Sequence, residues 1–164
     1  MTVKAGLVLP ELVIEVTPTF VIASAIATRD FQDVHHDRDR AVQRGSKDIF
    51  INILTTTGLV QRYVTDWAGP QALVRQVAIR LGVPCYAGDT LTFSGQVVEP
   101  AAAGSADAGK PGSGRAGEAA GAGERAGGGE DSGEVAEYAV QVVGRCRLGD
   151  HVTGTVRLAA GSMA

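Results

Sequence analysis

The spacing of apolar positions changes several times along the chain, and each change predicts an element. Thr19–Ala27, TFVIASAIA, is almost continuously apolar and partly β-branched, which predicts a strand. Thr28–Gly45 then turns polar, with six Asp or His between Asp30 and Asp39, and reads as a loop with a helical turn within Asp37–Arg44. In Ile49–Trp67 the residues Phe50, Ile53, Leu54, Val60, Val64 and Trp67 fall near helical spacing. Asp48 is the expected N-cap of this helix and Gly69-Pro70 its stop. Thr55, Thr56, Thr57 and Gly58 are poor helix formers, so tertiary packing has to hold it. Gly58 fits either a close approach to a sheet or a tolerated mid-helix glycine.

Alternation at period two takes over afterwards. Leu73–Leu81 and Thr90–Val98 read as strands, joined by a turn-rich Gly82–Asp89. Strand patterns resume at 136–147 and His151–Leu158, with the two-residue break Gly149-Asp150 suggesting a hairpin. The order is strand, long loop, one central helix, then four strands. It predicts an α+β fold in which an antiparallel sheet wraps one long helix.

Composition divides this picture. A length of 164 residues suggests one domain, but from Pro100 to Glu134 there is no Val, Ile, Leu, Met, Phe, Trp, Tyr or Cys. Eleven of those residues are Gly and ten are Ala. Such a segment cannot bury enough apolar surface to offset the entropy of ordering it. Residues 100–134 are therefore expected to be a disordered insertion at a hairpin tip, and 1–99 with 135–164 a single domain.

The segment holds six acidic and three basic residues, so the whole formal charge of −3 lies on it, and the remainder is balanced. Clustered Lys and Arg of the kind nucleic acids require are missing from the pattern. No apolar run approaches the roughly 18 residues of a membrane span, and MTVKAGLVLP lacks a signal-peptide core. Cys85 and Cys146 form no CxxC, and two reduced thiols in a soluble cytoplasmic protein are expected.

Chemistry concentrates in Ala27–Asp39, ATRDFQDVHHDRD. Asp30 lies five positions before His35, in a loop leaving the first predicted element, and the two side chains can meet in one pocket. A carboxylate and an imidazole can hold and deprotonate a water between them. Without more than this pattern, a solvated charged loop is the favoured reading, because loops rich in Asp and His are common.

The run Arg29-Asp30-Phe31-Gln32-Asp33-Val34-His35-His36-Asp37 resembles the motif G-D-x-N-P-[IL]-H-x-D of the MaoC-like (R)-specific enoyl-CoA hydratases. The Asp, the His and the later Asp match; Arg29, Gln32, Asp33 and Val34 depart. DIFINILTTTGLVQRYVTDWAGP is similar to the family's central helix, and RLGVPCYAGDTLTFSGQV to its Gly-Asp-Thr strand entry. With LGDHVTGTV near the end, the chain most resembles the small MaoC-like subunits of actinobacterial steroid enoyl-CoA hydratases of cholesterol side-chain catabolism.

The resemblance implies a hot-dog fold, hydration of a 2-enoyl thioester and a partner. That partner would be a second MaoC-like subunit, or otherwise a second copy in a homodimer. It implies Asp30 and His35 as the catalytic pair, without saying which serves as acid or base at each step. It implies a backbone amide at the start of the central helix as oxyanion donor, at Asn52 in place of the family's glycine. The family's helix serine falls on Thr57 or Val60. Asp37, Thr57, Gly88 and Arg80 are weaker substrate-binding candidates.

His36, Trp67 and His151 are expected to be structural, and Arg75 and Lys47 to be surface charges. No cofactor or metal is expected, because the chemistry is acid–base and coenzyme A belongs to the substrate. An acyl-CoA thioesterase on the same fold, or a non-catalytic chain completing another subunit's pocket, are the competing readings.

Overall fold

The computed structural model describes residues 4–99 and 137–160. The expected insertion at 100–134 lies outside the described residues. Five strands, β1 (Val8–Val16), β2 (Ala72–Leu81), β3 (Asp89–Val98), β4 (Glu137–Cys146) and β5 (Gly149–Ala160), form one antiparallel sheet in the order β1-β3-β4-β5-β2. Three helices, α1 (Pro18–Ala27), α2 (Arg38–Gln43) and α3 (Ile53–Ala68), complete the described chain. The α+β expectation of a sheet around one long helix is met, with α3 as that helix.

Alternation in β3 shows how sequence sets register. Asp89, Leu91, Phe93 and Val97 point inward and are buried, while Thr90 and Gln96 face out. Slipping one residue would turn that apolar set to solvent. From α3, Leu59, Val60, Tyr63 and Val64 meet the sheet residues Leu91, Phe93, Val140, Val142 and Val156 in one core. Full burial of each aliphatic side chain stabilises by about 1.5–3 kcal/mol. This packing holds a helix whose threonines alone would not sustain it.

The close approach of helix and sheet occurs at Gly95, not Gly58. A Cβ at position 95 would lie 3.0 Å from the Tyr63 ring and 3.1 Å from the Gln141 carbonyl oxygen. Gly58 faces outward, with open space where its Cβ would be. Trp67, half-buried against the core, packs edge-on with Tyr138 at 5.9 Å.

Four expectations need correction. Thr19–Ala27 is not a strand but lies in α1. Thr17 Oγ1 accepts from Phe20 N–H, and Pro18 occupies the first turn, where its missing donor costs nothing. The first strand is β1, upstream of the region read as strand. The central helix begins at Ile53, capped by Asn52 rather than Asp48. Finally, Cys146 pairs with Gly149, so the hairpin turn is Arg147-Leu148, and Gly149-Asp150 already belongs to β5. His151 lies in β5, two residues inside its start.

Candidate active site

Three helix termini and one extended segment build the site. At the end of α1, Asp30 N–H bonds to Ala25 O at 2.9 Å and Arg29 N–H to Ile26 O at 3.0 Å. These are the two bonds of a Schellman motif, which needs a left-handed residue after the C-cap. Arg29 supplies it with φ of 57°, at the position where the resemblance expected Gly. The motif fixes where Asp30 leaves the helix.

A 3₁₀ turn over Asp33–His35 then brings His35 back towards Asp30. His36 holds this loop by donating Nε2–H to Phe31 O at 3.1 Å. Asp33 accepts from Arg44 at 2.8 Å. Asp37 caps α2 by accepting from Arg40 N–H at 3.0 Å.

The extended segment Ile49–Asn52 backs the loop. Phe50 N–H bonds to Val34 O at 3.2 Å. In return, His35 Nδ1–H donates to Phe50 O at 2.7 Å, and the two rings meet edge-on at 4.9 Å. A carbonyl can only accept, so the hydrogen of the neutral ring sits on Nδ1. His35 Nε2 is therefore the free nitrogen, and it lies 3.5 Å from Asp30 Oδ2. That exceeds an ordinary hydrogen bond, and one water can reach both atoms from the side. The two side chains are 8% and 17% exposed, enough for a shielded but reachable pair.

Asn52 joins the pair to α3. Its Oδ1 accepts from Thr55 N–H at 2.7 Å, and its Nδ2 donates to Thr28 Oγ1 at 2.8 Å, two residues before Asp30. Its backbone N–H has no partner among the described residues. At a helix N-terminus, that amide and the helix dipole favour developing negative charge. Behind it, Thr56 Oγ1 lies 2.9 Å from His151 Nε2, and His151 Nδ1–H donates to Val83 O at 2.7 Å. Burial, the larger effect, lowers the His151 pKa from its usual 6.5, against the opposing bond to Val83.

The structure thus brings Asp30, His35 and Asn52 together. Thr57 Oγ1 instead donates to Ile53 O within its own helix at 2.7 Å, and Val60 is buried in the core. Asp37 is engaged at α2. Arg80 is exposed on the edge strand β2. Gly88 N–H bonds to Val16 O at 2.7 Å in a turn with φ of 89°. Phe50, Thr28 and Thr56 were not anticipated; the first acts through a carbonyl, which side-chain patterns do not report.

No protein-family model matches the chain. It is 52% identical over 158 residues to the 3-oxo-4,17-pregnadiene-20-carboxyl-CoA hydratase beta subunit of Mycobacterium tuberculosis (strain ATCC 25618 / H37Rv), covering 96% of each protein. A solved chain of the ChsH1–ChsH2 complex from Mycobacterium tuberculosis is 51% identical and superimposes with a TM-score of 0.73, over 98% of this chain and 99% of that one. An (R)-hydratase from A. caviae involved in PHA biosynthesis shares the fold at 13% identity, with a TM-score of 0.66 over 96% of each chain.

Proposed function

The chain belongs to the MaoC-like enoyl-CoA hydratases, and on that premise we propose that it is the small subunit of a steroid side-chain enoyl-CoA hydratase. The observation that carries this is the pairing of Asp30 Oδ2 and His35 Nε2 at 3.5 Å beside the free Asn52 amide. Asp30 and His35 hold a water at the β-carbon of the enoyl thioester. As its oxygen bonds to that carbon, its proton passes to His35 Nε2, because Nδ1–H stays bound to Phe50 O. The double-bond electrons move towards the thioester oxygen, where the Asn52 N–H stabilises the charge. The pair then returns a proton to the α-carbon. Acid–base groups carry every step, and no metal or redox cofactor is called for.

Two surface features support a bulky acyl group and a second subunit. Phe31, beside Asp30, and Ile53 and Leu54, beside Asn52, are large apolar side chains left more than half exposed. Strand β2 pairs with β5 on one side, and among the described residues its other edge is free, with Leu73 52% exposed. Free edges of this kind invite a partner. The M. tuberculosis relative's complex supports a second MaoC-like chain in that role. No helix among the described residues is long and apolar enough to cross a membrane, and a cytoplasmic site of action suits an acyl-CoA substrate.

Co-expression with MaoC-like partner chains, followed by assays on steroid and straight-chain enoyl-CoAs, tests the reading. Water addition is expected, fastest on the steroid thioester. Release of free CoA would identify a thioesterase instead. Full activity in both Asp30→Asn and His35→Ala complexes would assign the chemistry to the partner.

A further inference from the structure

Cys85, in a connection, and Cys146, the last residue of β4, lie outside the catalytic pair, yet the fold brings them together. Cys85 follows Pro84 in the β2–β3 connection and is buried; Cys146 closes β4 and is half-buried. Both sulfurs and a carboxylate oxygen of Asp89 lie within 4.8 Å of one another. Cys146 Sγ also donates to Pro84 O at 3.7 Å.

Two thiols and a carboxylate would suit a soft metal. Asp89, however, is already occupied. Its Oδ2 accepts from Tyr86 N–H at 3.1 Å and its Oδ1 from Arg147 Nε at 3.1 Å. What remains is two sulfurs next to each other. Burial, then the neighbouring Cys146 and Asp89, push the Cys85 thiol well up, so it keeps its proton at neutral pH. Cys146 is the thiol that solvent reaches.

We propose that Cys85 and Cys146 form a reversible redox site that closes to a disulfide under peroxide and thereby shifts the seat of His35. A peroxide oxidises Cys146: the O–O bond breaks, an S–O bond forms, and the other oxygen leaves as water. The Cys85 sulfur then attacks the sulfenic sulfur as its proton passes to the departing hydroxyl. The S–S bond forms, and the hydroxyl leaves with that proton as a second water. A dithiol such as dithiothreitol reverses the reaction by exchange.

The consequence for the site follows from three bonds. Cys85 O accepts from Ile51 N–H at 3.1 Å and Ile49 O from Ala87 N–H at 2.9 Å, which sets Phe50 opposite Tyr86. Phe50 O in turn holds His35 Nδ1 at 2.7 Å. An S–S bond is only about 2.05 Å long, so closure draws the Cys85 segment and β4 together. Ile51 and Ile49, on either side of Phe50, are bonded to that segment, and its displacement is expected to pass through them to Phe50 O.

The full chain, assembled with its partner subunit, is treated with hydrogen peroxide. Non-reducing peptide mapping is expected to join the Cys85 and Cys146 peptides, with loss of two hydrogens and of both titratable thiols. The His35 ring resonance shifts and returns with dithiothreitol. Cys146→Ser, or Cys146→Ala if the serine variant folds poorly, keeps the basal hydration rate and shows neither change. Sulfinic acid at Cys146 without a cross-link would overturn the proposal. So would two surviving thiols, zinc retained by the reduced protein, or a cross-link that leaves the His35 resonance in place. A severalfold fall in hydration on oxidation is the further expectation. Only the hydration rates rest on the hydratase reading; the peptide map, the thiol count and the His35 resonance do not, so failure of that reading is distinguishable from failure of the thiol chemistry.

Discussion

Asn52 Nδ2 donates to Thr28 Oγ1 at 2.8 Å, and this bond ties the end of α1 that carries Asp30 to the start of α3 that carries the oxyanion amide. One side chain therefore serves two purposes, because Asn52 Oδ1 also caps α3. Removing it in Asn52→Ala is expected to destabilise the fold by about 1–2 kcal/mol through the lost cap. It should also lower kcat more than it raises KM, because it frees Asp30 relative to the amide. Urea denaturation and steady-state kinetics of the complex measure both. A wild-type kcat in this variant would disconnect Asn52 from catalysis.

Asp30→Asn and His35→Ala each remove one end of the proposed water-holding pair. General acid–base groups contribute typically about 10²–10⁴-fold, and losses in kcat of that order are expected. Stability should respond differently. His35 is buried and bonded to Phe50 O, so its truncation lowers Tm, whereas Asp30→Asn keeps the shape and leaves Tm nearly unchanged. Thermal melts alongside single-turnover hydration separate folding loss from chemical loss.

Arg29 is a non-glycine residue with φ of 57°, a conformation that strains an L-residue by about 1–2 kcal/mol. Arg29→Gly relieves that strain while adding flexibility to the unfolded chain. The net expectation is an unchanged or slightly higher Tm with activity retained, since the Schellman bonds are backbone bonds. Arg29→Val, β-branched, should lower Tm. A lower Tm for the glycine variant than for the valine variant would contradict this account of the turn.

Legibility from sequence followed the physics of each element. Strands β2 to β5 announced themselves because one buried face imposes period two, as Leu91, Phe93 and Val97 illustrate. Strand β1 did not, since Pro10 and Glu11 fall at a register shift between Leu9 and Leu12 that breaks the alternation. Helix α1 has the β-branched content of a strand, which masks the Thr17-Pro18 start signal also present in the sequence. Within the site, Asp30 and His35 were visible through the surrounding motif. The supports at Thr28, Phe50 and Thr56 were not, because they act through a hydroxyl or a carbonyl on partners distant in sequence.

Residues 101–133 interrupt a connection between two strands that pair directly, with Val98 opposite Ala139. Replacing them by a short glycine-rich turn is expected to preserve the sheet and the hydration rate. Their composition offers no large apolar side chain with which to line a pocket. Circular dichroism and kinetics of the shortened chain in its complex check this. A large loss of rate with an intact fold would assign those residues to the site or the subunit interface.

His151 makes stability depend on pH in a direction that can be worked out. In the fold it is buried, donates Nδ1–H to Val83 O, and so accepts at Nε2 from Thr56 Oγ1. Its pKa is lowered from 6.5 chiefly by burial. Between the lowered folded value and 6.5, the unfolded chain binds the proton and the folded chain does not. Stability therefore rises with pH across that window. The neutral ring's contribution is fully present above pH 6.5 and is lost as pH falls through the folded pKa. Wild-type Tm should drop on acidification through this range. His151→Gln should lose the His151 part of that slope, while being less stable at pH 8 by about 1–3 kcal/mol because the Val83 and Thr56 bonds are impaired. An identical acid slope in the two proteins would mean that His151 already carries its proton in the folded state. In that case Nε2–H would donate to Thr56, and the threonine hydroxyl would turn to Asn52 O, 3.0 Å away.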